Sequence, residues 1–308
     1  MFIIIGGATG TGKSKVAIEL AKNINGEIIS ADSMQVYKGM DIGTYKITEN
    51  ERKEINHYMI DIIVPEESYS AARFKKEAEN IMDTIKAKGK LPIITGGTGL
   101  YINAIINGLF EAKEPDERLK ARLRQELAEK GLKYLINEVK RLDSEALDGI
   151  DLNNPRRILR LLGLVLANRR KISELKNETA KTAYRDKYLL FVLDIHKEKL
   201  YERINTRVDE MMKAGLEGEV KSLLDSGIDS NQTSMQAIGY KEIAAYLKSK
   251  TGLKEAVEII KKNTRNYAKR QVTWFKRYKE AIWVDATDKK VYDIVDEIEK
   301  EIHAYFKA

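Results

Sequence analysis

The sequence predicts an α/β protein built on a parallel sheet with flanking helices and carrying an all-helical insertion. Three observations predict it. A glycine-rich phosphate-cradle pattern stands between an apolar run and a helical pattern at the start of the chain. Short apolar runs then alternate with helical patterns, as in a parallel α/β sheet. From about residue 113 to 183 the alternation stops, and only charged amphipathic helical stretches remain. With 308 residues, 43% of them hydrophobic, the chain is long enough for one large domain with an insertion.

In chain order, residues 2–5 (FIII) form the first buried strand. Residues 14–24 follow with Val16, Ile18, Leu20 and Ala21 at helix-compatible positions. Further strands are expected at residues 27–30, 57–63, 91–95, 188–194 and 281–285, with helical patterns between most of them. The predicted organisation is therefore a first part of the core at 1–112, a helical insertion at 113–183, and a second part of the core at 184–308. Within the insertion, Asn154 is placed to cap a helix that has Pro155 at its first position.

Composition limits the chemistry. There is no cysteine, which excludes disulfides, a cysteine nucleophile and cysteine-ligated zinc, and His57, His196 and His303 are poor material for a metal cage. His57 reads as a packed strand residue. No apolar stretch is long enough to span a bilayer and no leader pattern precedes the first strand, so the expectation is a cytoplasmic protein with no membrane partner. The net charge of +7 is modest, but residues 261–279 hold eight basic residues and no carboxylate, interleaved with Tyr267, Trp274, Phe275 and Tyr278. A polyanion is the natural partner of such a stretch.

The residues Gly7, Ala8, Thr9, Gly10, Thr11, Gly12, Lys13 and Ser14 fit G-x-x-x-x-G-K-[ST], the P-loop. In that motif backbone N–H groups surround phosphate oxygens, the lysine supplies positive charge and the hydroxyl, here that of Ser14, ligates Mg2+. The motif fixes a phosphate- or nucleotide-binding site, not a reaction. Asp32 falls at the carboxyl end of the second strand, the edge where open parallel sheets bind ligands. It can serve there as a magnesium ligand, as an acceptor for a substrate hydrogen bond, as a base, or simply as the cap of a turn. A second glycine-rich turn, Thr95 to Tyr101, ends the run at 91–95 on the same edge.

Seven blocks, GGATGTGKS, ADSMQVYKGMDIGT, YSAARFKKEA, ITGGTGLYINAIINGL, NPRRILR, QAIGYKE and AKRQVTWFKR, together resemble the tRNA dimethylallyltransferase family, also called tRNA isopentenyltransferase, over nearly the whole chain. The resemblance implies a P-loop-kinase-like fold with a helical insertion. It also implies transfer of a dimethylallyl group from dimethylallyl diphosphate to N6 of the adenine just 3′ of the anticodon of tRNA, with the loop holding the leaving diphosphate. On that resemblance Asp32 is the catalytic carboxylate, Thr98 lies at the reaction channel, and Arg118 stands near the departing diphosphate. tRNA contacts are implied for Asp32, Ser33, Met34 and Gln35, and for Arg156, Arg157, Ile158, Leu159 and Arg160. They are also implied for Gln236, Ala237, Ile238, Gly239, Tyr240 and Lys241, and for Lys269, Arg270, Gln271, Val272, Thr273, Trp274, Phe275 and Lys276. In the last block, Trp274 and Phe275 suit stacking on bases, while Ala268, Val272 and Phe275 at helical spacing equally suit a core stripe. Some family members carry a C-terminal zinc finger; this chain has no cysteine for one and matches the compact bacterial type, expected to act as a monomer.

Two other activities share part of this pattern. A small-molecule or nucleotide kinase would use the same loop and sheet but leaves the basic aromatic stretch unexplained. An isopentenyltransferase acting on free adenine nucleotides would need neither that stretch nor the insertion.

Overall fold

The computed structural model of the chain describes residues 1–110, 112–177 and 183–307. Residue 111, residues 178–182 at the end of the predicted insertion, and residue 308 lie outside the described residues. The sheet comprises β1 (Phe2–Gly7), β2 (Gly26–Ser30), β3 (His57–Tyr58), β4 (Leu91–Gly96), β5 (Tyr188–Asp194) and β6 (Ile282–Asp285). Its order is β3-β2-β4-β1-β5-β6, and every pairing is parallel, with Ile3 of β1 opposite both Ile93 of β4 and Leu189 of β5. The central strands are continuous apolar runs because both of their faces are covered.

By contacts the chain divides into two compact units, Met1–Asn103 with Arg185–Ala308, and Ala104–Tyr184. In the sheet unit, α1 (Lys13–Asn23) follows β1, α2 (Glu49–Glu54) precedes β3, and α3 (Ala71–Ala87) lies between β3 and β4. α4 (Gly99–Ile106) leaves the sheet edge after β4. Ile3, Ile5, Ile28, Ile93 and Phe191 of the strands form one core with Val16 and Leu20 of α1.

The apolar run at 57–63 makes a strand of only two residues. Met59 and Asp61 take left-handed φ values of 65° and 57°, so the extended path ends. The following amides turn instead to the loop after β2: those of Asp61 and Ile62 donate to the Gln35 and Val36 carbonyls at 3.0 and 2.9 Å. This pulls Ile63 into a second core with Val36, Tyr37 and Met40.

The helical unit contains α5 (Glu117–Asp143), broken at Gly131 where φ is 77°, then α6 (Pro155–Asn168) and α7 (Ile172–Asn177). Asn154 caps α6 by accepting from the Arg157 amide at 3.3 Å, with Pro155 at the first position. Leu123 and Leu135 of α5 pack with Ile158, Leu161 and Leu162 of α6. After β5 the sheet unit continues through α8 (Lys197–Lys213), α9 (Leu216–Asp225), α10 (Tyr240–Leu247) and α11 (Leu253–Phe275), and closes with α12 (Val291–Lys307) after β6. No helix among the described residues is long and apolar enough to cross a membrane.

Candidate active site

The carboxyl ends of β1, β2 and β4 bring three loops to one edge of the sheet unit. In the loop after β1, Gly10 and Gly12 hold φ values of 89° and 88°, a conformation in which a side chain would be strained. The loop is closed on itself by the Ala8 carbonyl, which accepts from the Thr11 hydroxyl at 2.9 Å and from Lys13 Nζ at 3.2 Å. α1 then starts from Gly12 with no side-chain cap and no acidic residue in its first turn. Its first amides are thus available to an external anion, with the helix dipole favouring negative charge there.

Desolvation pushes the Lys13 ammonium down to a pKa of about 8; the charge of Asp32 opposes the fall and that of Arg207 adds to it. These groups share one cavity of about 560 Å3, lined by the loop from Thr9 to Lys15, by Asp32 and Gln35, by Thr44 to Ile47, and by Arg207. Asp32 begins the loop after β2, and its Oδ1 accepts from the Met34 amide at 2.9 Å, so the turn-capping role and a place on the cavity wall coexist. Gln35 Oε1 accepts from the Ser30 hydroxyl at 3.0 Å. The loop after β4 is seated against this segment: Thr98 accepts from the Ser33 amide at 3.0 Å and donates its own amide to the Ala31 carbonyl at 3.1 Å. A side chain at Gly96 would lie 2.2 Å from that same carbonyl, which is why glycine stands there.

Arg207 was not singled out by the sequence. It belongs to α8, 175 residues beyond Asp32, within a charged amphipathic pattern that gives no hint of which arginine turns inward. Its guanidinium donates to Thr9 Oγ1 at 3.3 Å and lies 3.8 Å from the centre of the Tyr45 ring. Burial lowers its pKa, partly offset by Tyr45 and Glu210.

The segments expected to meet RNA divide by exposure. In α11 and at Lys276, which caps its end, Lys269, Arg270, Thr273 and Lys276 are exposed, whereas Gln271 and Phe275 are buried and Val272 is half-buried. Phe275 therefore is a core residue and not a stacking platform: its ring lies where a side chain at Gly6 would be, at 2.5 Å. Trp274 is half-buried, with its indole edge against Gly99 and Arg277 over its ring at 4.6 Å.

Of the segment 236–241, only Gln236 and Lys241 are exposed; Ile238 is half-buried, and Ala237, Gly239 and Tyr240 are buried. Tyr240 donates to Glu219 Oε1, and Glu219 in turn accepts the amides of Asp41, Ile42 and Gly43 at 2.9, 2.8 and 3.1 Å. The side chain of Tyr240 thus anchors the loop that reaches the cavity and is not available to RNA. In the helical unit Arg118, Arg156, Arg157 and Arg160 are exposed, Leu159 is half-buried and Ile158 is fully buried in the core of that unit. Inward-facing positions carry the helix packing; only their neighbours remain for a ligand.

The profile of the IPP transferase family matches residues 35–278. The tRNA dimethylallyltransferase of Acetivibrio thermocellus is 46% identical over 304 residues, covering 98% of this chain and 96% of its own. That of Thermotoga maritima is 42% identical over 300 residues, covering 97% of each chain. Among solved structures, the tRNA isopentenylpyrophosphate transferase of Bacillus halodurans is 39% identical with a TM-score of 0.74, covering 98% of this chain and 95% of its own. A eukaryotic dimethylallyltransferase acting on tRNA is 32% identical with a TM-score of 0.80, covering 93% of this chain and 74% of its own. A chain whose site carries these loops, and which aligns end to end with such relatives, belongs to the IPP transferase family, the tRNA dimethylallyltransferases.

Proposed function

We propose that the cavity is the active site for transfer of a dimethylallyl group from dimethylallyl diphosphate to N6 of the adenine immediately 3′ of the anticodon in tRNA. The single observation that carries the placement is that the glycine-rich loop, with Lys13, lines one cavity together with Arg207 and Asp32. Attack by N6 on the allylic carbon forms a carbon–nitrogen bond as the carbon–oxygen bond breaks. The electron pair leaves with the diphosphate, and the N6 proton passes to the Asp32 carboxylate. The adenine amine is a weak nucleophile because its lone pair is delocalised into the ring, so a carboxylate accepting its proton assists where help is needed.

The loop Gly7 to Ser14 acts in this reading as a P-loop for the leaving group. Its amides, Lys13 and Arg207 face the negative charge that grows on the departing oxygen, and a charge-matched site of this kind lowers the barrier where charge develops. Protein oxygens are the donors present for a hard cation: Ser14, a half-buried hydroxyl, and the Asp32 carboxylate both line the cavity. Mg2+ typically takes one or two protein oxygens and completes its shell with phosphate and water, so this donor set fits, with Ser14 as the expected ligand. When bound, the ion would add neutralising charge to the diphosphate.

The exposed cations of α11 and of α6 supply phosphate contacts for tRNA, and the target adenine must leave its stack to enter the cavity. In this reading the protein acts as a monomer in the cytoplasm. The test is to incubate the protein with Mg2+, dimethylallyl diphosphate and unmodified tRNA, then to look by mass spectrometry for a dimethylallyl addition on the adenosine 3′ of the anticodon. Absence of that product, or its appearance on another base, would overturn the reading.

A further inference from the structure

One buried side chain joins two of the three loops that form the site. Gln271, 6% exposed, accepts from the Thr9 amide through Oε1 at 2.9 Å and donates through Nε2 to the Gly97 carbonyl at 2.9 Å. The close approach depends on glycine: a side chain at Gly97 would stand 2.1 Å from Nε2. Glutamine is suited to this bridge because it presents an acceptor and a donor at once on a neutral group. Glutamate lacks the donor, and an apolar side chain would leave both backbone groups unpaired.

The bridge comes from α11, whose faces have opposite duties. Ala268, Gln271 and Phe275 form its inward stripe against the loop and the strand beneath it, while Lys269, Arg270 and Thr273 stand in solvent on the other side. Thr9 is held a second time, since its hydroxyl accepts from Arg207 of α8. The peptide of Thr9 therefore has its orientation set by a helix that is remote in sequence and whose outer surface is basic.

We propose that Gln271 is a positioning residue for the transfer. It fixes the Thr9 peptide, and with it the curvature of the loop around the departing diphosphate, to the seating of the helix that carries Lys269 and Arg270. The inference rests on the reading of that loop as the diphosphate site. Misplacing catalytic geometry by about 1 Å costs on the order of 100-fold in rate. RNA phosphates bound on the outer face of α11 would then steady the loop through one side chain rather than through contact with it.

The test uses the full chain with Gln271→Met, which keeps the length and loses both hydrogen bonds, and Gln271→Glu, which keeps the acceptor and loses the donor. Three quantities are measured for each: kcat, tRNA affinity, and affinity for inorganic diphosphate with Mg2+. For Gln271→Met the expected result is a fall of about 100-fold in kcat, a weaker diphosphate complex, and tRNA affinity within about twofold of wild type. Gln271→Glu should fall between the two. Wild-type kcat in both folded variants would overturn the proposal, as would a loss of tRNA affinity that accounts for the whole effect.

Hydrogen exchange of the Thr9 amide in the wild-type protein gives a readout that needs no variant. It should be slow in the free protein and slower with tRNA bound; exchange indifferent to tRNA would overturn the tie to α11. Lys13→Ala separates the two readings. If that variant binds diphosphate as wild type does, the loop reading fails; if it does not bind while the Gln271 variants catalyse normally, only the present inference fails.

Discussion

If diphosphate binds beside Lys13 as proposed, the depressed pKa of that ammonium makes the binding a proton-uptake reaction. In the free protein the ammonium has a pKa of about 8, lowered by desolvation from its ordinary value of 10.5. An anion seated beside it stabilises the charged form, so each binding event below full protonation draws a proton from solution. At pH 8 half of the free molecules carry neutral Lys13, and uptake should be roughly 0.5 proton, rising to roughly 0.9 at pH 9 and falling to roughly 0.1 at pH 7. Affinity for diphosphate should accordingly drop about twofold at pH 8 and about tenfold at pH 9 relative to pH 7.

The folding side has its own sign. The unfolded chain binds more protons than the folded one between pH 8 and 10.5, so the cost of holding this ammonium is fully present below pH 8 and fades as pH rises through that window. Lys13→Met removes the cost and should raise the stability of the ligand-free protein by up to about 3 kcal/mol at pH 7 while abolishing diphosphate binding. Titration calorimetry in buffers of different ionisation enthalpy measures the uptake, and denaturant melts measure the stability. Uptake near zero at pH 8, or a Lys13→Met variant less stable than wild type, would refute the reasoning.

Three further outcomes follow from the geometry. Asp32→Asn should leave tRNA affinity within a few fold and lower the single-turnover rate by about 100- to 10,000-fold; collapse of tRNA binding with an intact bound-state rate would assign Asp32 to recognition instead. Lys269→Ala and Arg270→Ala, both exposed, should each reduce the slope of log affinity against log salt by about one unit. Trp274→Ala should instead lower the melting temperature with the salt slope unchanged, because its indole is packed on Gly99; wild-type slopes for both basic variants would remove α11 from the RNA surface. Tyr240→Phe should cost about 1.5 to 3 kcal/mol by denaturant melt, the usual value of a hydrogen bond to a charged group, here lost to Glu219; unchanged stability would mean that the three backbone amides suffice for that carboxylate.

The sequence by itself determined the features whose cause is local. The glycine-rich loop is legible because Gly10 and Gly12 must adopt left-handed backbone and because a strand and a helix flank them within a few residues. The start of α6 is legible for the same reason: a cap at Asn154 and Pro155 after it act within one turn. Asp32 could be placed at the ligand-binding edge because parallel topology sends every strand's carboxyl end there. Its position at that edge points it toward the phosphate, while its chemical role there stays open between ligand, acceptor, base and turn cap.

Tertiary structure alone decided which distant side chains converge. Arg207 and Gln271 sit in helices whose charged, amphipathic patterns offer several equivalent arginines and polar residues, and helical period fixes a face without saying what the face meets. Thus the sequence leaves Phe275 open between stacking on RNA and a core stripe, whereas packing assigns Gln271 and Phe275 to the loop and strand beneath and leaves Lys269 and Arg270 to solvent. The run at 57–63 read as a long strand for a related reason. Apolar character predicts burial, but the left-handed turns at Met59 and Asp61 and the carbonyls of Gln35 and Val36 determine where those residues are buried.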